Sequence, residues 1–334
     1  MSTKNRILQL LENSRGKTVS GAVIAAQLGV TRNAVWKAIQ ALEKDGYKIE
    51  ASTKTGYCLC DTNDILSAQG MSPFLWGRQA QITVHSALES TNKTAKALAI
   101  AGAAHGTIIV ADHQTAGQGR YGRSFFSPPG HGIYISFILR PANNSHAPTM
   151  FTTYAAVCVC EAIEALTGKH PQIKWVNDIF IGDKKICGIL TEAVTDFESG
   201  HIQWVVVGIG INFSTPAGGF PKEIRHVAGA VFDRDMPTTT RNRLAAEVAN
   251  RMMDFENRCG TEAVLGEYRK RLMMLGKKVL ITGIKTPYEA IALDIDQVGR
   301  LLVKTQDGQV LPLSSGEVSI KTTSQTTNYV SNLN

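Results

Sequence analysis

Gly117-Gln118-Gly119-Arg120-Tyr121-Gly122-Arg123 is the stretch around which the rest of the sequence is organised. Its three glycines free the backbone to take positive φ and to approach a ligand closely. Arg120 and Arg123 stand among them, and a loop of this kind can fold backbone N–H groups and guanidinium forks over a phosphate-bearing group. Taken alone, the same residues read equally well as a solvated glycine-rich turn. Thr107–Ala111, just upstream, is an apolar, β-branched run expected to be a buried strand, and Gln114 falls where that strand gives way to the loop, a common place for binding residues.

The flanking segments alternate strand-like and helical patterns. Ile82–His85 reads as a strand, and Ser90-Thr91-Asn92 precedes a helix expected over Lys93–Ala101. Helix capping accounts for one of those three polar residues; the others remain available to a polar ligand group at the helix N-terminus. Gly132–Leu139 is a further strand, and Phe125 before it either stacks on a ring or packs in the core. Tyr154–Leu166 reads as an apolar helix. Lys174-Trp175-Val176-Asn177-Asp178-Ile179-Phe180 and Lys184–Leu190 suggest two strands joined by a turn at Gly182-Asp183. Asn177 and Asp178 interrupt an apolar strand and therefore need partners; Lys185 is the natural cation to face a carboxylate or phosphate. In Gly208-Ile209-Gly210-Ile211-Asn212-Phe213 the third glycine of a dinucleotide fingerprint is Phe213 and no helix opens there, so a Rossmann site is rejected. Close-spaced glycines in a strand instead let a ligand lie against it. Leu244–Phe255 is expected to close this module as an amphipathic helix.

Residues 1–62 form a separate unit. Ile7, Leu10 and Leu11 recur at helical spacing, Ser20 caps a second helix that Gly29 ends, and Thr31 caps a third with Val35, Ile39 and Leu42 as its apolar stripe. Two short strands, about 47–52 and 57–60, flank Lys54-Thr55-Gly56 as a wing. This is a winged helix-turn-helix pattern. Ser20, Thr31, Arg32, Asn33, Trp36 and Lys37 are its candidate DNA-facing residues, with Trp36 expected to pack or to touch backbone rather than bases. One such module buries too little for high specificity, so a dimer on DNA is expected. At the other end, about residues 276–322, five short strand-like runs separated by Asp296-Gln297-Val298-Gly299 and Asp307-Gly308 fit a small barrel that must share an interface with the central module. The Ser/Thr/Asn-rich tail from Thr322 is expected to fray.

Composition sets the bounds. The 334 residues suffice for two or three domains, with 43% hydrophobic and 19% charged residues, and the net charge of +7 favours acidic partners such as nucleic acid or phosphate esters. The N-terminus is polar and no apolar run is seen to approach the roughly 20 residues of a membrane span, so a cytoplasmic protein without membrane contact is expected. Six scattered cysteines suggest buried thiols in a reducing compartment rather than disulfides, and the pairs Cys58/Cys60 and Cys158/Cys160 lack the partners of a zinc site; no protein-held metal is expected.

Five motifs occur in order: Ser90-Thr91-Asn92, Gln114 with the glycine loop, Lys174-Trp175-Val176-Asn177-Asp178, Lys185-Ile186-Cys187-Gly188-Ile189-Leu190, and Gly208-Ile209-Gly210-Ile211-Asn212. Together with the winged helix they closely resemble the bifunctional biotin–protein ligases that double as repressors of biotin synthesis genes. The resemblance implies an α+β multidomain chain: a winged helix-turn-helix domain at 1–62, a catalytic domain at 66–270 with a mixed sheet and helices related to class II aminoacyl-tRNA synthetases, and an SH3-like C-terminal barrel at 276–322. It implies that Ser90, Thr91 and Asn92 line a biotin site, that Gln114 holds the biotin ring system, and that Gly117, Gln118, Gly119 and Arg120 touch the ligand. Lys185 would meet carboxyl and phosphate, Gly188 would allow close approach, and Asn212 would serve the nucleotide side. The implied substrates are biotin and ATP with Mg²⁺. The implied partners are the biotin carboxyl carrier protein of acetyl-CoA carboxylase and operator DNA, with a homodimer forming when biotinyl-5′-AMP is bound. Lys185, Arg120 and Asp178 are the expected catalytic residues. The chain departs from the family pattern at Gln118 and Tyr121, where arginine is frequent, and at Val176, where proline is frequent. A ligand-sensing transcription factor without turnover and a lipoyl or octanoyl ligase of similar fold are the rival readings.

Overall fold

The computed structural model describes residues 1–52, 55–77, 81–141, 147–195, 201–233, 236–283 and 286–320. The expected turn residue Lys54 and the tail from Thr322 lie outside the described residues.

Three helices and a hairpin make the N-terminal unit: α1 (Thr3–Asn13), α2 (Gly21–Leu28), α3 (Arg32–Lys44), β1 (Ile49–Ser52) and β2 (Gly56–Leu59). Capping sets the boundaries. The hydroxyls of Ser20 and Thr31 accept from the backbone N–H of Val23 and Ala34, at 3.2 and 3.1 Å, and Gly29 takes the left-handed conformation that stops α2. Ile7, Leu11, Ile24, Val35, Ile39, Leu42 and Leu59 form a core separate from that of the rest of the chain. Arg32, Asn33, Trp36 and Lys37 are all exposed on α3. Trp36, 52% exposed, is therefore not used in packing its own unit.

After a short turn of helix, α4 (Ala68–Met71), comes a seven-stranded sheet built from β3 (Ile82–His85), β4 (Thr107–Ala111), β5 (Gly132–Leu139), β6 (Gln172–Lys174), β7 (Asp178–Ile181), β8 (Lys184–Thr195) and β9 (Ile202–Asn212). The spatial order is β3-β4-β5-β9-β8-β7-β6, with only β3 and β4 parallel, which makes the sheet mixed. Helix α5 (Thr91–Ile100) covers part of one face through Ala95 and Ala99 against Ile109, Ile138, Trp204 and Val206. Helices α6 (Pro148–Thr167), α7 (Arg241–Met252), α8 (Phe255–Arg258) and α9 (Glu262–Arg271) lie against the other face. α6 starts six residues before its expected first turn, because Pro148 is tolerated at a helix start. It also corrects the expectation that no apolar run nears membrane-spanning length. Its 20 residues pass that test by length and composition, yet 72% of the apolar stretch is buried inside the protein, as suits a core helix packed on all sides.

The run 174–180, expected as one strand, is split: β6 ends at Lys174, Trp175 and Val176 are buried in the turn that follows with Asn177, and β7 begins at Asp178. The C-terminal unit is a five-stranded antiparallel sheet of β10 (Lys278–Thr282), β11 (Tyr288–Ile295), β12 (Leu301–Thr305), β13 (Val310–Leu313) and β14 (Glu317–Ile320), in the order β13-β12-β11-β10-β14. Its buried residues, among them Val279, Ile281, Ala292, Val303 and Val318, belong to the same hydrophobic core as the central sheet. The Trp175 indole N–H donates to the carbonyl of Gly299 at 3.1 Å across that junction.

Four of the cysteines are buried, whereas Cys58 and Cys60, on and beside the wing, are half-exposed and not buried as expected. Burial pushes the Cys158 thiol up to about 12 and the Cys187 thiol well above its ordinary range. A thiol-specific reagent at pH 8 should therefore label Cys58 and Cys60 in the native chain and reach the other four only in denaturant; mass spectrometry of the labelled peptides checks this.

Candidate ligand and catalytic cleft

Alternation along the strands decides where a ligand fits. Lys174 on β6 pairs with Asp178 on β7, Asp178 with Gly188 on β8, Gly188 with Gly210 on β9, and Gly210 with Tyr134 on β5. The neighbouring row runs through Leu190, Gly208 and Ser136. Paired residues share a face, so Gly188, Gly208 and Gly210 leave the centre of this face without side chains. The space is already bounded from above. A Cβ at Gly210 would lie 2.6 Å from the Phe125 ring, one at Gly188 would lie 3.3 Å from that ring and 3.5 Å from Lys185 Nζ, and one at Gly208 would collide with the Asn92 amide. A cleft of about 200 Å³ results.

One end of the cleft is a bonded polar cluster at the N-terminus of α5. Ser90 is the N-cap; Thr91 and Asn92, expected to precede the helix, are its first turn and are 4% exposed each. Gln114 Oε1 accepts from the Thr91 backbone N–H at 2.9 Å, and Gln114 Nε2 donates to Ser127 Oγ at 3.0 Å. The Ser136 hydroxyl donates to Asn92 Oδ1 at 2.7 Å and lies 2.8 Å from Thr91 Oγ1. Asn92 Nδ2 donates to Glu192 Oε2 at 2.9 Å, and Glu192 is paired with Lys96 at 2.7 Å. Every named group is tied to another, which holds these side chains in one geometry while leaving spare lone pairs and donors toward the cleft.

The other end is ionic. Lys185 Nζ lies 2.6 Å from Asp178 Oδ1, both side chains being partly buried. Arg120 Nη1 donates to Asn177 Oδ1 at 3.1 Å, which gives Asn177 the partner its position demanded; Asn177 Nδ2 donates to the Ile189 carbonyl at 2.9 Å. Arg120 Nη2 donates to the Tyr121 hydroxyl at 3.1 Å and reaches the Gly316 carbonyl at 3.4 Å, while Arg123 pairs with Glu317 at 2.6 Å. The glycine loop therefore bridges the central sheet and β14. Tyr121 is the one non-glycine residue with positive φ (57°) among the described residues. Its ring lies 5.0 Å from the Arg120 guanidinium carbon, so Tyr121 supports the neighbouring cation by cation–π contact.

Ser90, Thr91, Asn92, Gln114, Gln118, Gly119, Arg120, Asp178, Lys185 and Gly188 all line the cleft. Gly117 and Asn212 do not. Gly117 sits behind the loop, where a Cβ would lie 2.6 Å from the Phe125 carbonyl oxygen and the Ser127 hydroxyl. Asn212, at the end of β9, donates to the Gly229 carbonyl at 2.8 Å and so secures the segment that follows. Sequence reasoning missed Gly316, Glu317 and Ser319 as lining residues. Nothing in a short β-strand pattern announces that it will close another domain's cleft.

The comparisons with known proteins agree with this arrangement. Residues 84–212 match the biotin/lipoate A/B protein ligase family, residues 3–58 an HTH domain, and residues 274–321 the biotin protein ligase C terminal domain. The chain is 34% identical over 312 residues to the bifunctional ligase/repressor BirA of Bacillus subtilis, covering 90% of this chain and 94% of that one. It is 28% identical over 327 residues to the BirA of Escherichia coli, covering 95% and 96%. The biotin protein ligase of Aquifex aeolicus in complex with biotin and ATP superposes with a TM-score of 0.61 at 25% identity, over 73% of this chain and 99% of that one.

If the bare strand face is what admits a ligand, Gly210→Ala should displace the Phe125 ring and lower ligand affinity by about ten-fold or more while costing ~1–3 kcal/mol of stability. Gly188→Ala, with its longer contacts, should cost less on both counts. Calorimetric titration with biotin and urea unfolding of the two variants measure these effects.

Proposed function

We infer the function from one premise: the chain belongs to the bifunctional biotin ligase/repressor family. It activates biotin with ATP to biotinyl-5′-AMP, transfers the biotinyl group to a lysine of a biotin carboxyl carrier protein, and binds DNA through its N-terminal helix-turn-helix unit as a repressor. The observation that carries the catalytic assignment is the Lys185–Asp178 pair, which lines the ionic end of the glycine-floored cleft together with Arg120. The two rival readings are not favoured, since the catalytic cations and the DNA-binding unit occur in one chain whose relatives are ligase/repressors over nearly their whole length.

The first step joins two anions. A carboxylate oxygen of biotin attacks the α-phosphorus of ATP, and pyrophosphate leaves with the electron pair of the broken P–O bond. Lys185 and Arg120 offset the repulsion and the charge that develops at phosphorus. Mg²⁺ would accompany the triphosphate and neutralise part of its charge. No cluster of three or more His, Cys, Asp or Glu side chains suited to a metal exists among the described residues, so the cation would rest chiefly on phosphate oxygens and water, as magnesium commonly does at nucleotide sites. Thr91, Asn92 and Gln114 orient the ring system. The glycine loop, latched by Arg120 and Arg123, excludes water from the mixed anhydride. In the second step the acceptor lysine amine attacks the carbonyl carbon and AMP departs. Asp178, which lines the cleft beside Lys185, would take the proton that the attacking amine sheds.

The remaining assignments belong to the same proposal. Arg32, Asn33, Trp36 and Lys37 on the exposed side of α3 meet DNA, with Ser20 and Thr31 presenting their helix ends to it. Repression then requires a homodimer that forms on adenylate binding, in the cytoplasm. The units 1–62, 66–270 and 276–322 are three domains, the second related to class II aminoacyl-tRNA synthetases and the third a small SH3-like barrel.

Incubation with biotin, MgATP and a carrier domain followed by an avidin blot tests the activity directly; an unlabelled carrier refutes it. Lys185→Ala should abolish biotin-dependent pyrophosphate exchange while leaving the thermal unfolding midpoint within a few degrees of the parent. Arg120→Ala should instead speed adenylate dissociation, by about ten-fold or more, because it removes the latch to Asn177 and Gly316; stopped-flow release of the preformed adenylate reads this.

A further inference from the structure

Arg241, the first residue of α7, lies far from the cleft in sequence and is 4% exposed. A guanidinium so buried must be bonded on several sides. Its Nε donates to Asp64 Oδ2 at 2.9 Å and its Nη2 to the Asp64 carbonyl at 2.6 Å, while its backbone N–H donates to Asp64 Oδ1 at 2.8 Å. On the opposite side, Nη1 donates to Asp112 Oδ1 at 2.5 Å and to the Gly132 carbonyl at 3.2 Å. One side chain thus joins two carboxylates that belong to different parts of the chain.

Each carboxylate is a junction in its own right. Asp112 follows β4 and accepts from the Gly130 backbone N–H at 3.2 Å, so it closes the base of the 112–130 excursion that carries Gln114 and the glycine loop. Asp64 lies in the segment between the helix-turn-helix unit and the central sheet. The same segment is gripped from the N-terminal side by Arg15 of the first unit, which donates to the carbonyls of Asn63 at 2.7 Å and Cys60 at 3.2 Å and is paired with the buried Glu12. The two hydrophobic cores are separate, and this line of charged bonds spans the gap between them.

We propose that Arg241 is a positioning residue that ties the base of the ligand-clamping excursion to the linker of the helix-turn-helix unit, so that order in the glycine loop and the seating of that unit are coupled. The proposal rests on the cleft assignment above only for its functional meaning. By linkage, a ligand that orders the loop steadies the linker by the same free energy with which the seated unit steadies the loop.

Hydrogen exchange on the full chain, without ligand, tests the coupling independently of ligase activity. Asp64→Asn removes one charge at a residue that does not line the cleft. It should raise exchange about ten-fold at the amides of Gln114, Ala116 and Phe125, which are bonded to Ser127, Glu89 and Gly117, and leave the Lys278–Thr282 strand unchanged. Asp112→Asn should reciprocally raise exchange at Asn63, whose N–H donates to the Cys60 carbonyl. Arg241→Lys, which keeps the charge but not the fork, should fall between Asp64→Asn and the parent. Unchanged exchange at all three loop amides in Asp64→Asn overturns the proposal, and so does an equal rise in Lys278–Thr282, which a general loosening of the fold produces. A chain that fails the avidin blot yet shows the coupled exchange would remove the ligase reading and keep the strut.

Discussion

One sheet face has to be bare and rigid at once. Burying α6 and its neighbours on one side of the central sheet holds the strands flat against a large core, and only then can the opposite side carry glycine at 188, 208 and 210 without collapsing. A glycine in a strand interior weakens it, by entropy and by the missing side chain. Here long pairing between β5, β9 and β8 compensates, with β9 running 11 residues between two partners. The ligand space, the placement of Phe125 and the reach of Lys185 all follow from that bare face.

Around it the polar groups are arranged by one rule: a buried donor or acceptor is tolerated when it is bonded. At the α5 end this produces a neutral cluster of Thr91, Asn92, Gln114, Ser127 and Ser136 suited to an uncharged ring system. At the β7–β8 end it produces ion pairs and guanidinium bonds suited to anions. The separation of neutral from charged groups along one cleft is what the proposed orientation of biotin, with its ring toward α5 and its carboxylate toward Lys185, relies on. Arginine in the loop is bonded to a carbonyl, an amide and a ring, so it is held at the cleft mouth rather than free in solvent.

Closure involves three parts of the chain. The glycine loop comes from the central sheet, its latch partners Gly316 and Glu317 from the C-terminal sheet, and its base is bonded through Arg241 to the linker of the N-terminal unit. A clamp built this way cannot loosen without disturbing contacts between units. That gives a DNA-binding unit a physical route to the occupancy of a cleft it does not touch.

Local chemistry fixed much of this protein in advance. Ser20 and Thr31 as caps, Gly29 as a stop, and the strands Ile82–His85, Thr107–Ala111, Gly132–Leu139 and Lys278–Thr282 were legible because capping, alternation and glycine permissiveness act within a few residues. Ten of the twelve residues expected at the cleft line it, but resemblance to the family named them, not local propensity. Helix ends were less so: α6 begins earlier and α5 two residues earlier than periodicity suggests, since packing extends helices past their clearest patterns. What the sequence could not contain is long-range pairing. That Asn177 answers Arg120, that Lys185 is held by Asp178, that Gly117 and Asn212 stand behind the cleft while Gly316 and Glu317 border it, and that Arg241 meets both Asp64 and Asp112 depend on segments 7 to 196 residues apart. Such contacts exist only after the sheet has brought distant strands together, because no local propensity encodes a partner that far along the chain.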